Sequence, residues 1–169
     1  MISEVNGNEW EQVQYWNDDR ELRDEAREKI AEADFMVVNT PGNPTGYVLT
    51  EEQAKEIGEY AEENDTFLVS DEVYHRLIYG KQHFSPAVHA HDSAVVGSAS
   101  KNHAMTGWRV GWIIDEPENI EEYAKVSRAS TACPPRISQY AAIEALENDS
   151  HVEEMREAYE EQRGLLVES

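Results

Sequence analysis

The chain has 169 residues, enough for one domain with a substantial core and too few for two large ones. Its 35 acidic residues against 14 basic ones leave a net charge of -21, which repels nucleic acid and anionic lipid because both need a basic footprint. Apolar residues fall in short runs, none near the roughly 20 consecutive residues of a membrane span, and the polar, acidic stretch Met1–Gln14 lacks the parts of a signal peptide, so a cytoplasmic protein is expected.

Met1–Asn17 shows weak periodicity and three aromatics, Trp10, Tyr15 and Trp16, and reads as irregular or truncated. Asp18 or Asp19 is placed to cap a helix over Arg20–Ala33. Phe35–Asn39 (FMVVN) is a short apolar run with strand character, and TPGNPTG after it is a loop by its Pro and Gly content. Thr50 with Gln53 fits a capping box that opens a helix to about Asn64. Phe67–Ser70, Ala94–Gly97 and Trp108–Ile114 are three further strands. Helices are predicted over Pro117–Val126, over Pro135–Glu147 and from Ser150 onward, the last with a capping box of Ser150 and Glu153.

The order strand, helix, strand implies a right-handed crossover and parallel pairing. The first three strands are weakly alternating, as strands covered on both faces should be. An α/β domain with a mostly parallel sheet and flanking helices is therefore expected. The connection into Trp108–Ile114 is short and carries no helix pattern, so that strand is expected to run antiparallel and make the sheet mixed.

Acidic residues concentrate in the helical segments Arg20–Ala33, Thr50–Asn64 and Val152–Arg163. They read as solvated faces or, preferably, as adaptation to high salt, where counterions screen self-repulsion. Cys133 is the only cysteine, beside Pro134 and Pro135, and reads as a small packing residue rather than a nucleophile. His89 and His91 form a close pair without a third ligand nearby, so no metal site is expected. Trp108 and Trp112 read as packing residues.

Ligands of open α/β sheets bind beyond the carboxyl ends of the strands. Asn43 follows the first predicted strand, Asp71 and Tyr74 the second, and Ser98, Ser100 and Lys101 the third. Singly, each has a plain reading: Lys101 a surface lysine, Asp71 a helix cap, Asn43 a turn residue, Tyr74 a core ring. Together they suggest one ligand. A lysine at a strand end can form a Schiff base. Serine hydroxyls and the fork of Arg109 suit a phosphate. A carboxylate can keep a pyridine nitrogen protonated and turn the ring into an electron sink. Pyridoxal phosphate needs all of these.

Three segments, NTPGNPTG, VSDEVY and SASKNHAMTGWRVGW, resemble the class I/II aminotransferases of pyridoxal-phosphate fold type I, and they stand in that family's order. Asp71 precedes Lys101 by 30 residues and Arg109 follows it by 8. Ala132–Leu146 also resembles the family's following helix. The resemblance implies that Lys101 forms the internal aldimine and later moves the substrate proton. It implies that Asp71 pairs with the pyridinium nitrogen and that Asn43 and Tyr74 bond the ring's phenolate oxygen. Ser98 and Arg109 become phosphate ligands, with Ser100 a third. The implied activity is transfer of an amino group between an amino acid and a 2-oxo acid, with donors of aspartate, aromatic or kynurenine-like type, in a homodimer.

Members of that family are longer. Before FMVVN there is no Gly-rich strand-to-helix turn of the kind that would complete a phosphate site, and no arginine matches the family's clamp on the substrate α-carboxylate. The chain is therefore expected to be a fragment, with residues 1–149 a partial cofactor-binding domain and 150–169 the start of a helix leading to a small domain. Three readings follow: an aminotransferase, completed by further chain; a non-catalytic remnant that binds the cofactor or a partner; or another reaction of the same cofactor fold.

Overall fold

In a computed structural model the structure is described for residues 2–5, 8–16 and 21–168. Two strands, β1 (Ile2–Val5) and β2 (Asn8–Glu11), form an antiparallel hairpin with Ile2 opposite Glu11. The described part of the opening, expected to be irregular, thus carries two strands; they are four residues each and mostly polar, too short for alternation to register. Helix α1 covers Asp24–Glu32, starting later than predicted, with Arg23 as its N-cap residue. Asp18 and Asp19 lie outside the described residues.

Strand β3 (Phe35–Asn39) follows, then α2 (Glu51–Glu63) and β4 (Phe67–Asp71). The Thr50–Gln53 capping box forms in both directions. Helix α2 buries Gln53, Ala54, Ile57, Gly58 and Ala61 along one stripe. Gly58 is required by contact: a Cβ there would lie 2.4 Å from the Pro86 carbonyl oxygen in the 3-10 turn Pro86–His89. Strand β5 (Ser93–Ser98) leads into the one-turn helix α3 (Ala99–Asn102). A 3-10 turn, Thr106–Trp108, precedes β6 (Gly111–Ile114), so the predicted strand is shorter than Trp108–Ile114. Helices α4 (Pro117–Ser130), α5 (Arg136–Glu147) and α6 (Ser150–Glu168) complete the chain. Ser150 is already helical, and its hydroxyl meets Asn148 Oδ1 at 3.3 Å rather than closing the predicted box.

The main sheet has the order β3-β4-β5-β6, parallel across the first three strands and antiparallel between β5 and β6. This is the mixed α/β architecture expected. Its main core lies on one face, where Met36, Val38 and Leu68 meet Ile30, Leu49, Ala54 and Ile57. Coverage of both faces is not observed on β3, where Phe35 is 38% and Val37 41% exposed on the opposite face; no residue of β4 or β5 is exposed. Tyr15 lies against the outer edge of β3, donating its hydroxyl to the Val37 carbonyl at 3.1 Å. A cavity of about 540 Å³ opens there between the hairpin, α1 and β3, away from the carboxyl ends of the strands. A second cluster of Ala99, Met105 and Ala142, with Val110 and Trp112 against it, holds α5 to the turn that carries Lys101. Cys133 is exposed between α4 and α5, contrary to its reading as a packing residue, because the connection stands off the core. Trp108 is also exposed, at 41%. No helix among the described residues is long and apolar enough to cross a membrane.

Candidate active site

The carboxyl ends of β3, β4 and β5 bring the site together. Asn39 and Asp71 are register partners at the ends of β3 and β4. The Asp71 carbonyl accepts from Asn39 Nδ2 at 3.2 Å and from the Thr40 amide at 3.0 Å. Asn39 Oδ1 in turn accepts from the Asn43 amide at 2.7 Å, which folds the 40–46 loop over the sheet edge. The peptide bonds before Pro41 and Pro44 are cis. In this fold the Asn43 side chain reaches Tyr74, with Nδ2 3.4 Å from the phenol oxygen. Two sequence-predicted residues from different strand ends thus meet at one point.

No helix starts at Glu72. The chain turns instead, and Asp71 Oδ1 accepts from the Val73 amide at 3.3 Å, an Asx-type turn. The Glu72 amide donates to Val96 at 2.9 Å, so the backbone at Asp71 is held from both neighbouring strands. The Glu72 side chain is buried and accepts from Ser70 Oγ at 2.9 Å, from His83 Nε2 at 2.8 Å and from the Ser85 hydroxyl. Burial alone would raise the Glu72 carboxyl; the bonds from His83 and Ser85, the His83 charge and the Ser70 bond outweigh it and hold it below its ordinary value.

Lys101 sits on α3, exposed, with Nζ 5.8 Å from the centre of the Tyr74 ring. Among the described residues no carboxylate lies within ion-pairing distance of it. An amine whose neighbour among the described residues is a ring face is available for chemistry. Ser98 caps α3: its Oγ accepts from the Ser100 amide at 3.0 Å and donates to the Val110 carbonyl at 3.2 Å. A phosphate could take that hydroxyl proton only by displacing Val110. Arg109 has a positive φ of 55°, an uncommon conformation for a side-chain-bearing residue that costs on the order of 1–3 kcal/mol. One guanidinium nitrogen donates to the Thr106 carbonyl at 2.9 Å, and the exposed group retains further donors.

The structure therefore gathers Asn43, Asp71, Tyr74 and Lys101 around the ends of β3 to β5, with Ser98 and Ser100 at the turn into α3. Arg109 enters from the strained link before β6. Sequence reasoning missed Asn39, Glu72, His75 and Asn102. Asn39 alone carried a readable signal, as a polar residue closing an apolar strand.

Comparison with known proteins gives a consistent result. The family model for aminotransferase class I and II matches residues 2–169. The aspartate/prephenate aminotransferase of Thermus thermophilus is 44% identical over 138 residues, covering 79% of this chain and 36% of that protein. The aspartate aminotransferase of Bacillus subtilis is 40% identical over 131 residues, covering 74% and 33%. Among solved structures, a double mutant of Thermus thermophilus aspartate aminotransferase superposes with a TM-score of 0.78 at 43% identity, covering 82% of this chain and 37% of that one. The aromatic aminotransferase of Pyrococcus horikoshii gives 0.80 at 34% identity, covering 89% and 43%. The chain thus spans about a third of the length of the curated relatives it matches.

Proposed function

This chain belongs to the aminotransferase class I and II family, whose members depend on pyridoxal phosphate, and we propose that it supplies the cofactor-binding core of an aminotransferase. The observation that carries the reading is the meeting of Asn43 with Tyr74 beside Asp71 and the Lys101 amine, which has no ion-pair partner among the described residues, all at strand carboxyl ends.

The donor set fits the cofactor. Bound pyridoxal phosphate supplies an electron-withdrawing ring that stabilises negative charge at a substrate's Cα. The Asp71 carboxylate would hold the proton on the ring nitrogen. The Asn43 amide and Tyr74 hydroxyl would donate to the phenolate oxygen, and Arg109 with the Ser98 and Ser100 hydroxyls would hold the phosphate. Lys101 would attach the cofactor through Nζ and then act as the base that moves the substrate proton. The substrates on this reading are an amino acid and a 2-oxo acid, and the working form is a homodimer in the cytoplasm. Residues 1–149 belong to the cofactor domain and 150–169 to the helix beyond it. The charge of -21 suits a salt-rich interior.

Borohydride reduction of the chain incubated with pyridoxal phosphate, followed by peptide mapping, tests the assignment. The label is expected on Lys101, and a label confined to other lysines refutes it.

One observation favours a second reading. The chain covers only 36% of a relative that is 44% identical to it. On that reading residues 1–169 bind the cofactor without turning over, because orienting the substrate supplies roughly 7–11 kcal/mol of catalysis and no carboxylate clamp is recognised here. The half-reaction with glutamate or aspartate separates the two. Conversion of bound cofactor to its amine form well above the rate of free pyridoxal phosphate, abolished by Lys101→Ala, rejects the binding-only reading.

A further inference from the structure

Asn102 follows Lys101 directly, yet the two side chains have opposite surroundings. Lys101 is exposed toward Tyr74, while Asn102 is 1% exposed and engaged in the interior. Its Oδ1 accepts from the Arg76 amide at 3.3 Å, and its Nδ2 lies 3.1 Å from His75 Nδ1. Both partners belong to the turn that carries Tyr74. The Asn102 amide thus spans the gap between two segments 26 residues apart. One bears the lysine and the other the phenol paired with Asn43.

The contacts fix the orientation of the amide. A backbone N–H can only donate, so the oxygen must face Arg76 and the nitrogen must face His75. His75 Nδ1 also lies 2.9 Å from the Glu72 carbonyl. A ring nitrogen cannot donate to that carbonyl and accept from Asn102 at once. With the proton on Nε2, His75 accepts from Asn102 and the two turns are joined by both bonds. With a proton on Nδ1 it donates to Glu72, and Asn102 keeps only Arg76. The charged and titratable groups around this ring are His83, 6.0 Å between ring centres and bonded to the Glu72 carboxylate, His103 at the end of α3, and Arg76 next in the turn.

We infer that Asn102 is a positioning residue: it ties the Lys101 turn to the Tyr74 turn through Arg76 and His75, and so sets where the lysine amine stands relative to the Asn43–Tyr74 pair. The consequence for the cofactor rests on the function proposed above; the tie itself does not.

Hydrogen exchange on the chain without cofactor tests the tie. Asn102→Ala is expected to lower amide protection about tenfold in both segments, 73–77 and 99–105, as loss of a buried hydrogen-bonded pair should. Thr66→Val is the control. It removes a buried hydroxyl bonded to Ile30 at 2.7 Å at the far end of the sheet, and it should leave both segments unchanged. Unchanged protection of 73–77 in Asn102→Ala overturns the inference, whatever happens to 99–105. A second measurement uses the pH midpoint of the absorbance of unreduced cofactor bound at Lys101. Asn102→Ala and His75→Ala should move it in the same direction and the double variant no further, while Thr66→Val leaves it in place. Equal midpoints in the original chain and Asn102→Ala overturn positioning of the lysine. Failure of the original chain to take up cofactor at Lys101 refutes the proposed function, and the exchange result still decides the tie.

Discussion

Gly97→Ala is the sharpest test of how the site is built. Gly97 lies on β5 opposite Trp112 on β6, one residue before Ser98. A Cβ at Gly97 would stand 2.1 Å from Trp112 Nε1, 2.5 Å from Cε2 and 3.0 Å from Cδ1. Comfortable contact needs about 3.5–4.0 Å. The indole must therefore retreat by more than an ångström, or the two strands must part. Neither is free, because Trp112 packs on the cluster of Ala99, Met105 and Ala142 beneath the Lys101 turn. Overpacking of this kind costs about 1–3 kcal/mol, and the rigid indole puts the expected cost toward the upper part of that range. Urea unfolding, with free energies taken from midpoint and slope, gives the value. Trp112→Ala removes the obstacle, so Gly97→Ala made in its presence should cost at least about 1 kcal/mol less than in the original chain. A Gly97→Ala cost below about 0.5 kcal/mol, or costs that simply add, would refute the close approach of β5 and β6 at this pair.

Three other outcomes are expected. Glu72→Ala should destabilise by about 3–5 kcal/mol, since it strands the Ser70, Ser85 and His83 donors around a buried site, while Glu72→Gln should recover part of the loss; comparable urea midpoints for the alanine variant and the parent would contradict the network. Stability should fall on acidification in two stages. Burial foremost, then the charges of His151 and Arg76, holds His103 below its ordinary 6.5, so the unfolded chain takes up that proton first and stability declines as pH falls below about 6.5. Glu72 is held below its ordinary 4.5, so its contribution is complete above that value and is lost as pH falls through the folded one. Thermal midpoints against pH check both, and His103→Gln should flatten the first stage alone. Finally, the charge of -21 should raise the midpoint in molar potassium chloride over dilute buffer, and equal midpoints would remove the salt-adaptation reading.

Much of this was legible in the residues because local signals and tertiary needs agreed. FMVVN is a continuous apolar run closed by a polar residue, and β3 has those bounds. Thr50 and Gln53 specify a helix start by two hydrogen bonds within four residues, and both form. The antiparallel β6 followed from a connection too short for a crossover. The grouping of the candidate residues was legible for a related reason. A strand delivers the residues just past its end to the sheet edge, so Asn43, Asp71 and Lys101 could be placed together from strand positions alone.

What escaped the sequence depends on distance rather than pattern. Phe35 and Val37 look like residues of a strand covered on both faces, because apolar character encodes a wish for burial and not the neighbour that provides it. Asn102 looks like an ordinary polar residue after a lysine; only the approach of Arg76 and His75, 26 and 27 residues upstream, gives its amide a task. The same holds for Glu72, whose three donors come from Ser70, His83 and Ser85. Asn102 and Glu72 share one property. Each is a buried polar group whose desolvation must be offset by partners, so each fixes backbone that a purely apolar contact would let slide. Glu72 directly follows Asp71 and Asn102 directly follows Lys101, so on the proposed function they would hold the place of a reacting amine to within a fraction of an ångström. The candidate cofactor residues are announced by where strands end, and the buried polar groups packed around them become visible only when the chain is folded.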